Sequence, residues 1–265
     1  MRPVRRHLLV WWQATVQAIR RDLQFRSQTV TTILTRIAEL GLALVPVLVV
    51  ASVAGSASGW TAPLALVVSG AYGISAGVLD CFVSPNCARM DRYVRHGELD
   101  LLLMRPVRTG FLAALRWVAP SELTSILPST GVLALGLLMA DVHPDTAGIA
   151  LAIGWAAAGT VAFALLWLNL SYSAFWMDGS EPVHFVVLSV RSAGQYPQSY
   201  FPRPVRVALA TVIPAGLLAA VPVDALLGDG SPGLLAVAAL GLVVAGGLTA
   251  LHWSIALRHY SGAST

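Results

Sequence analysis

The sequence predicts an all-α, polytopic membrane protein, and three observations carry that prediction. Hydrophobic residues make up 56% of the 265 positions, and charged residues make up only 11%, whereas soluble domains carry about 25% charged residues. The mean hydropathy of the chain is +0.71. Its apolar residues also come in long blocks, and a membrane-crossing helix needs about 20 such residues. We therefore expect a single transmembrane domain over residues 1–265.

The charged residues exclude several classes of function. All 17 basic residues are arginine, and without lysine the chain has neither a Walker A nucleotide loop nor a Schiff-base nucleophile. The net charge is +4, but the arginines flank apolar blocks rather than forming a basic face, so we expect no nucleic-acid partner. The six histidines and two cysteines show no metal-ligand spacing, so we expect no metal site.

The first 30 residues form an amphipathic segment. Its apolar residues recur at helical spacing on one face: Leu8, Trp12, Val16, Ile19 and Leu23. This pattern predicts a helix that lies along the membrane surface, with tryptophan at headgroup depth and lipid as its partner. The basic region continues to Arg36, which is too long for the start of a signal peptide, so we expect the segment to be retained.

Six apolar stretches are predicted to cross the membrane. They are residues 31–54, 62–83, 118–140, 147–175, 205–221 and 233–257. The fifth stretch is short and contains Pro214. Residues 183–190 are apolar but too short to cross, so we expect them at the membrane interface or in a re-entrant turn.

The arginines predict the orientation of these spans. They all lie on one side of the membrane or just inside it, in the N-terminal segment, the loops 84–117 and 177–204, and the C-terminal segment. The loops predicted on the other side contain no arginine: 55–61, 141–146 and 222–232. Because arginine and lysine concentrate in cytoplasmic loops, both termini are predicted to be cytoplasmic.

Three acidic residues fall within or at the ends of the predicted spans, where charge is costly and often functional. Glu39 lies within the first span and Glu122 near the cytoplasmic end of the third. Glu39 could simply pair with Arg36, three residues earlier on the same helical face. Alternatively, Glu39 and Glu122 line a cytoplasmic vestibule for a cationic or amphipathic substrate. Asp80 closes the second span, where we expect it to be solvated.

The second span also carries a small-residue motif. Gly73 and Gly77 form a GxxxG pattern, and Gly70 lies one turn earlier. Small residues at this spacing let helices approach closely. The motif predicts close packing, either within one subunit or across a dimer.

The predicted cytoplasmic loop 84–117, which we call the elbow, mixes charged residues with an apolar run. Four of its charged residues could pair with one another or with a partner: Arg92, Arg95, Glu98 and Asp100. Leu99 and residues 101–104 form an apolar patch too short to cross, and Pro106 ends it. The pattern favours a docking surface for a partner. Alternatively, the leucines of the loop only rest on the membrane.

The elbow also carries a family resemblance. Residues 95–106, RHGELDLLLMRP, resemble the GELD…L-RP segment of a bacterial branch of type-2 ATP-binding-cassette (ABC) exporter permeases. Further landmarks are similar in order and spacing: Phe175-Trp176, Tyr196-Pro197, Ile213-Pro214, Val221-Pro222 and the closing residues 258–263, RHYSGA. The similarity covers nearly the whole chain.

The resemblance implies a six-span permease domain in the bacterial cytoplasmic (inner) membrane, with the elbow as its cytoplasmic coupling helix. It implies a transport subunit rather than an enzyme, with no cofactor in this chain. A partner ABC ATPase dimer would bind ATP and Mg²⁺, and a second permease copy or a related permease would complete the path. The residues that fall on the family motif, and are therefore implied to couple, are Gly97, Glu98, Leu99, Asp100, Arg105 and Pro106. Alternatively, Gly97 and Pro106 have a folding role as residues that form turns.

Small predicted outer loops offer no dock for a binding protein, which favours export. One alternative is a proton-coupled secondary transporter that titrates Glu39 and Glu122, but such folds carry internal repeats and no convincing repeat is present. A membrane enzyme or a scaffold without transport is a further alternative. An enzyme would need convergent catalytic groups at one depth, and the sequence shows no such set. The transported substrate is not indicated by the sequence.

Overall fold

The computed structural model describes residues 3–24, 26–58, 61–177, 181–197 and 201–260. Within these residues every regular element is helical and no strand occurs, which confirms the predicted all-α fold. The helices are α1 (Pro3–Gln24), α2 (Arg26–Ser58), α3 (Ala62–Phe82), α4 (Ser84–Cys87), α5 (Met90–Arg95), α6 (Glu98–Leu103), α7 (Thr109–Leu115), α8 (Ile126–Met139), α9 (Thr146–Ser171), α10 (Glu181–Arg191), α11 (Arg203–Thr211), α12 (Ala220–Asp224) and α13 (Pro232–His259). Short 3-10 turns at Pro120–Ser125 and Tyr172–Phe175 extend α8 and α9.

Five segments of the described chain are long and apolar enough to cross a bilayer. They are Val30–Val49 within α2, α3, Pro120–Met139, Thr146–Phe175 and α13. These five agree with the first, second, third, fourth and sixth predicted spans. Most of their surface faces outward, as expected of helices surrounded by lipid, except in α3, where half of the most apolar stretch is buried.

The fifth predicted span, residues 205–221, is not one continuous helix. It is split into α11, a turn at Pro214, a 3-10 turn at Gly216–Leu218 and α12. Pro214 lacks an amide hydrogen and disfavours helix in the residue before it, and α11 ends just before that point, at Thr211. Whether this broken segment crosses the membrane stays a prediction, and so does the total of six crossings.

The irregular part of this segment, from residue 214 onward, is largely buried inside the protein, which is where irregular backbone is tolerated at membrane depth. Ala215 and Leu218 are fully buried. The hydroxyl of Ser75 in α3 donates a 2.7 Å hydrogen bond to the Leu218 carbonyl oxygen. Gly159 in α9 allows the close approach, because a Cβ atom there would lie 2.1 Å from the Leu217 carbonyl oxygen.

The glycines of α3 pack this central helix against α8 and the turn before it. A Cβ atom at Gly70 would lie 2.5 Å from the Leu133 backbone nitrogen, and one at Gly73 would lie 2.2 Å from the Ser129 hydroxyl oxygen. Gly77 faces Ser125 in the same way, at 2.6 Å. The predicted GxxxG packing is therefore confirmed, and its partner is α8 of the same chain.

Helix α1 confirms the predicted N-terminal helix and packs against the bundle through one face. Ala18 is buried against Cys81 and Val118, and the His7 ring contacts the Phe111 ring at 5.0 Å. Trp12 of the predicted apolar face is 61% exposed. An apolar face left open beside transmembrane helices is typical of a helix that rests on lipid. The side chains of Leu8 and Leu23 lie outside the described residues.

Candidate functional site

The elbow is closed at its base by one buried asparagine. Asn86 is fully buried in α4, and its side-chain amide donates 2.8 Å hydrogen bonds to the carbonyl oxygens of Phe82 and Trp117. Its side-chain oxygen accepts a third bond from the Trp117 backbone nitrogen at 2.8 Å. Asn86 thus joins the beginning and the end of the elbow, 31 residues apart.

A second set of contacts holds the elbow together near its base. The Trp117 indole nitrogen donates a 2.7 Å hydrogen bond to the Tyr93 hydroxyl. The Arg89 guanidinium lies 4.0 Å from the centre of the Trp117 ring, within range of a cation–π contact. Burial raises the pKa of the Tyr93 hydroxyl and lowers the pKa of Arg89.

The predicted apolar patch of the elbow is divided into two sets by the structure. Leu99 and Leu102 are fully buried in the main core, together with Trp167 of α9. By contrast, three neighbours are exposed: Leu101 by 59%, Leu103 by 47% and Met104 by 75%. The patch is therefore not one surface. Its two buried residues anchor the elbow to the bundle, and its three exposed residues face outward.

The six residues of the resemblance motif also differ in their exposure. Gly97 begins the turn into α6 with a φ angle of 66°, a left-handed conformation that suits glycine. Leu99 is buried, whereas Arg105 and Pro106 are exposed beside Met104. Glu98 and Asp100 are half-buried. The role of the six residues in coupling stays a prediction, and Arg105 and Pro106 are the members most accessible to a partner in the described structure.

Four charged residues of the elbow form two ion pairs with one another. Arg92 donates a 2.6 Å hydrogen bond to Glu98, and Arg95 lies 2.9 Å from Asp91. Asp100 lies beside Tyr260 at the end of α13. Burial, and next the Asp100 carboxylate, raise the pKa of the Tyr260 hydroxyl. The first two pairs link α5 to α6 and stiffen α5, and the third contact joins the elbow to the C-terminal helix.

A separate cavity of about 140 Å³ lies between α2, α3 and α8, and we call it the inner cavity. Its polar lining residues are Arg36, Glu39, Ser69, Tyr72, Asp80, Ser125, Ser129 and Gln195. Ser69 is buried, and its hydroxyl has no hydrogen-bond partner among the described residues. The Ser69 hydroxyl can therefore form a hydrogen bond with a molecule that occupies the cavity.

Arg36 joins the two predicted acidic residues at this cavity. One guanidinium nitrogen lies 2.5 Å from Glu39 and another lies 2.6 Å from Glu122. The Arg36 and Glu39 pair expected from the sequence is therefore confirmed, and Glu122 shares the same cation. The Glu39 side chain is 52% exposed and lines the cavity. The Glu122 side chain is 20% exposed and pairs with Arg36, which lines the cavity.

Asp80 is not simply solvated, and that expectation was wrong. Arg191 at the end of α10 donates two hydrogen bonds to its carboxylate, at 2.7 and 3.2 Å. The Arg191 guanidinium also lies 5.6 Å from the centre of the Trp167 ring. Helix α10, the segment predicted at the interface, is thus tied to the end of α3 by a buried ion pair.

Sequence reasoning missed Arg191 and Asn86 as structural partners. Arg191 is the single arginine between residues 117 and 202, and it directly follows an apolar segment. That isolation was a usable signal for a buried counter-ion. Asn86 carried no comparable signal, because a single asparagine in a polar loop is ordinary.

The comparisons with known proteins assign the family. Residues 37–264 match the model of the ABC-2 family transporter proteins. The chain belongs to the ABC-2 transporter family. It is therefore the multi-pass membrane subunit of an ABC transporter, a permease, and permeases of this family work with an ABC ATPase partner. No curated protein and no solved structure gives a significant match to this permease.

Proposed function

We propose that this ABC-2 permease is half of an exporter that moves its substrate out of the cytoplasm or the inner leaflet. A separate ABC ATPase dimer binds ATP and Mg²⁺ and supplies the energy, and a second copy or a related permease completes the path. The bacterial cytoplasmic membrane is its location. Short described loops opposite the arginine-rich end, at 140–145 and 225–231, support export, because they offer little surface to a substrate-binding protein.

The division of the elbow into a buried and an exposed half carries the coupling proposal. Its exposed half presents Leu101, Leu103 and Met104 next to Arg105 and Pro106. Its buried half is packed on α9 through Leu99 and clamped to α3 by Asn86. A partner binds the exposed apolar side chains of the elbow. Because the elbow is rigid, a movement of that partner is transmitted to the helices packed behind it.

The inner cavity is the proposed entry to the substrate path. Three carboxylates and two guanidinium groups meet at or beside it, from Glu39, Glu122, Asp80, Arg36 and Arg191. The excess of one negative charge, together with the half-exposed Glu39, favours a cationic amphipathic substrate. The alternative of proton-coupled transport by Glu39 and Glu122 is disfavoured by the family assignment and by Arg36, which forms an ion pair with each of the two carboxylates.

The coupling proposal is tested by co-expressing the permease with a candidate partner ABC ATPase and purifying the complex. Met104→Glu places a charge on the exposed half of the elbow, so we expect the ATPase to dissociate during purification and stimulated ATP turnover to fall. Met139→Glu is the matched control, because Met139 is 59% exposed and ends α8, at the end of that helix that lies away from the elbow. Retention of the ATPase by Met104→Glu would reject the docking surface.

The substrate path is tested separately, in proteoliposomes that contain the complex. A lipophilic cationic dye and an anionic dye of similar size are compared as cargo. We expect ATP-dependent transport of the cation and a several-fold loss in Glu39→Gln, with the ATPase still bound. Preferential transport of the anion, or no effect of the substitution, would remove Glu39 from the path.

A further inference from the structure

A second groove, of about 830 Å³, lies between α7, α9 and α13, with the start of α1 at one end. It shares no lining residue with the inner cavity. Its volume falls within the range of about 300–1,000 Å³ that is usual for sites of small molecules. Neither the proposed coupling through the elbow nor the proposed substrate path involves this groove.

Small residues create this groove. A Cβ atom at Gly110 would lie 2.8 Å from the Trp253 ring, so glycine lets α7 approach α13 at that point. At Gly246, also in the lining, a Cβ atom would meet nothing within 4 Å. The space beside α13 is thus left open where a larger side chain would fill it.

The walls of the groove are apolar and lie at the depth of one leaflet. They include Leu165 and Leu168 of α9 and Leu257 of α13. The lining part of α13 runs from Gly246 to Leu257, which is roughly 16 Å of helix at 1.5 Å per residue. The hydrocarbon core is about 30 Å thick, so the groove spans about one leaflet, and it ends near the arginine-rich end of the bundle.

The polar end of the groove is basic. Arg108 lines it together with His7, whose ring nitrogen accepts a 3.3 Å hydrogen bond from the Arg108 backbone nitrogen. Arg105 and Arg116 line the adjoining pocket on α7 and α1. Within the described residues no carboxylate pairs with any of these three arginines. An anionic group there would complete the charge balance.

We propose that this groove binds one anionic phospholipid from the leaflet at the arginine-rich end of the permease. Its phosphate lies at the Arg108 guanidinium, and an acyl chain lies along the wall formed by α9 and α13. Basic pockets between transmembrane helices on the cytoplasmic side are suited to anionic headgroups. The combination of an apolar trough of leaflet depth with an unpaired arginine cluster fits a phospholipid better than a soluble anion or a protein segment.

The test measures lipid retained by the full-length permease in detergent, by native mass spectrometry, after incubation with phosphatidylglycerol or phosphatidylcholine. We expect one tightly held phosphatidylglycerol and a preference over phosphatidylcholine of roughly fivefold, the effect of one arginine near an anionic headgroup. Arg108→Gln should lose the preference and still bind both lipids weakly. Arg258→Gln, an exposed arginine outside the groove, should behave as the wild type.

Filling the groove tests the acyl-chain site. Gly246→Leu, or Ala250→Phe if the first variant fails to fold, should abolish retention of both lipids. Gly247→Leu is the matched control, because a Cβ atom there also meets nothing within 4 Å and Gly247 does not line the groove. Equal lipid retention by Gly246→Leu and the wild type overturns the proposal.

Two other results also overturn it, because each identifies a different occupant. If Gly246→Leu dissociates a dimer of the permease and no lipid is retained by the wild type, the groove is an interface between two copies. If ATP added to the complex with the ATPase releases the bound lipid, the groove belongs to the transport path instead.

Discussion

Arg191 donates two hydrogen bonds to Asp80, at 2.7 and 3.2 Å, across 111 residues of sequence. Their side chains are only 11% and 19% exposed. The pair joins α10 to the end of α3, beside the inner cavity that Asp80 lines. A charge in an apolar environment is expensive unless it is paired and hydrogen-bonded, so this contact fixes where α10 lies.

Arg191→Gln is expected to destabilise the permease strongly. Removing one partner leaves the Asp80 carboxylate buried without its counter-ion, which costs on the order of 3 kcal/mol, or roughly 6–12 °C in melting temperature for a chain of this size. Thermal unfolding in detergent measures this. The control is Arg92→Gln, since the Arg92 and Glu98 pair is exposed by 60% and 32% and is worth about 1 kcal/mol or less.

The double variant Asp80→Asn/Arg191→Gln separates pairing from the loss of two polar groups. It removes both charges, so it should unfold at a higher temperature than either single variant. Strictly additive losses in the double variant would show that the two side chains act independently.

Arg36→Gln is expected to lower the yield of folded permease, because Glu39 and Glu122 both lose the cation they share. Arg36→Lys should recover only part of the yield, since one ammonium group lacks the forked geometry that reaches two carboxylates at once. Size-exclusion chromatography of the purified variants measures the folded fraction. Full recovery with lysine would mean that charge alone matters at this site.

The sequence was sufficient to predict the five long apolar helices and their approximate bounds, because membrane spans depend on long apolar runs that a linear pattern reveals. The Arg36 and Glu39 pair was predictable for a similar reason, since residues three apart share a helical face. The glycines of α3 also predicted close packing, although not that α8 of the same chain is the partner.

Contacts between distant segments were not predictable in the same way. The pairing of Asp80 with Arg191 depends on where α10 folds back, and no local rule fixes that position. The break at Pro214 was visible in the sequence, but the burial that makes it tolerable depends on Gly159 and Ser75, far away in the chain. The apolar run of the elbow read as one patch, because the buried and exposed faces of a short helix differ only once its packing is known.

Gly97→Ala is expected to destabilise the elbow by about 1 kcal/mol, because alanine is strained at a φ angle of 66°. Gly97→Asn should cost less, since asparagine tolerates the left-handed region. Gly131→Ala is the control: Gly131 lies inside α8 with open space around it, so alanine should be neutral or stabilising by roughly 0.5–1 kcal/mol. Melting temperatures of the three variants compare them directly, and equal effects at both glycines would show that the turn is not strained.

Acidification is expected to weaken the packing of α10 through His184. Burial, and next the positive charge of Arg191, lower the pKa of His184 below its ordinary value of 6.5. The unfolded chain then binds a proton that the folded chain does not, so stability falls as the pH drops below 6.5 and through the lowered pKa. Melting temperature measured between pH 8 and pH 5.5 should fall less steeply in His184→Gln than in the wild type. Parallel curves would exclude His184 as a source of the pH dependence.

Cys87 provides a reporter for whether the elbow moves as one body. It is buried in α4 next to the Asn86 clamp, and burial raises the pKa of its thiol to about 12, partly offset by a hydrogen bond with Ser171. The thiol is therefore neutral and shielded, and we expect slow labelling by a maleimide at pH 7.5 in a Cys81→Ala background. Labelling should stay slow during ATP turnover by the complex with the ATPase, because a rigid elbow transmits force without opening its base.

The variant Asn86→Ala tests the clamp with the same reporter. This substitution removes the hydrogen bonds that Asn86 makes with the backbone amide and carbonyl of Trp117. A buried polar group left without a hydrogen bond costs about 1–3 kcal/mol. We therefore expect Cys87 to label several-fold faster in Asn86→Ala than in its parent. If Cys87 in the parent instead labels faster as soon as ATP is added, the base of the elbow opens in each cycle. Coupling then works by local unfolding of α4 rather than by movement of a rigid elbow.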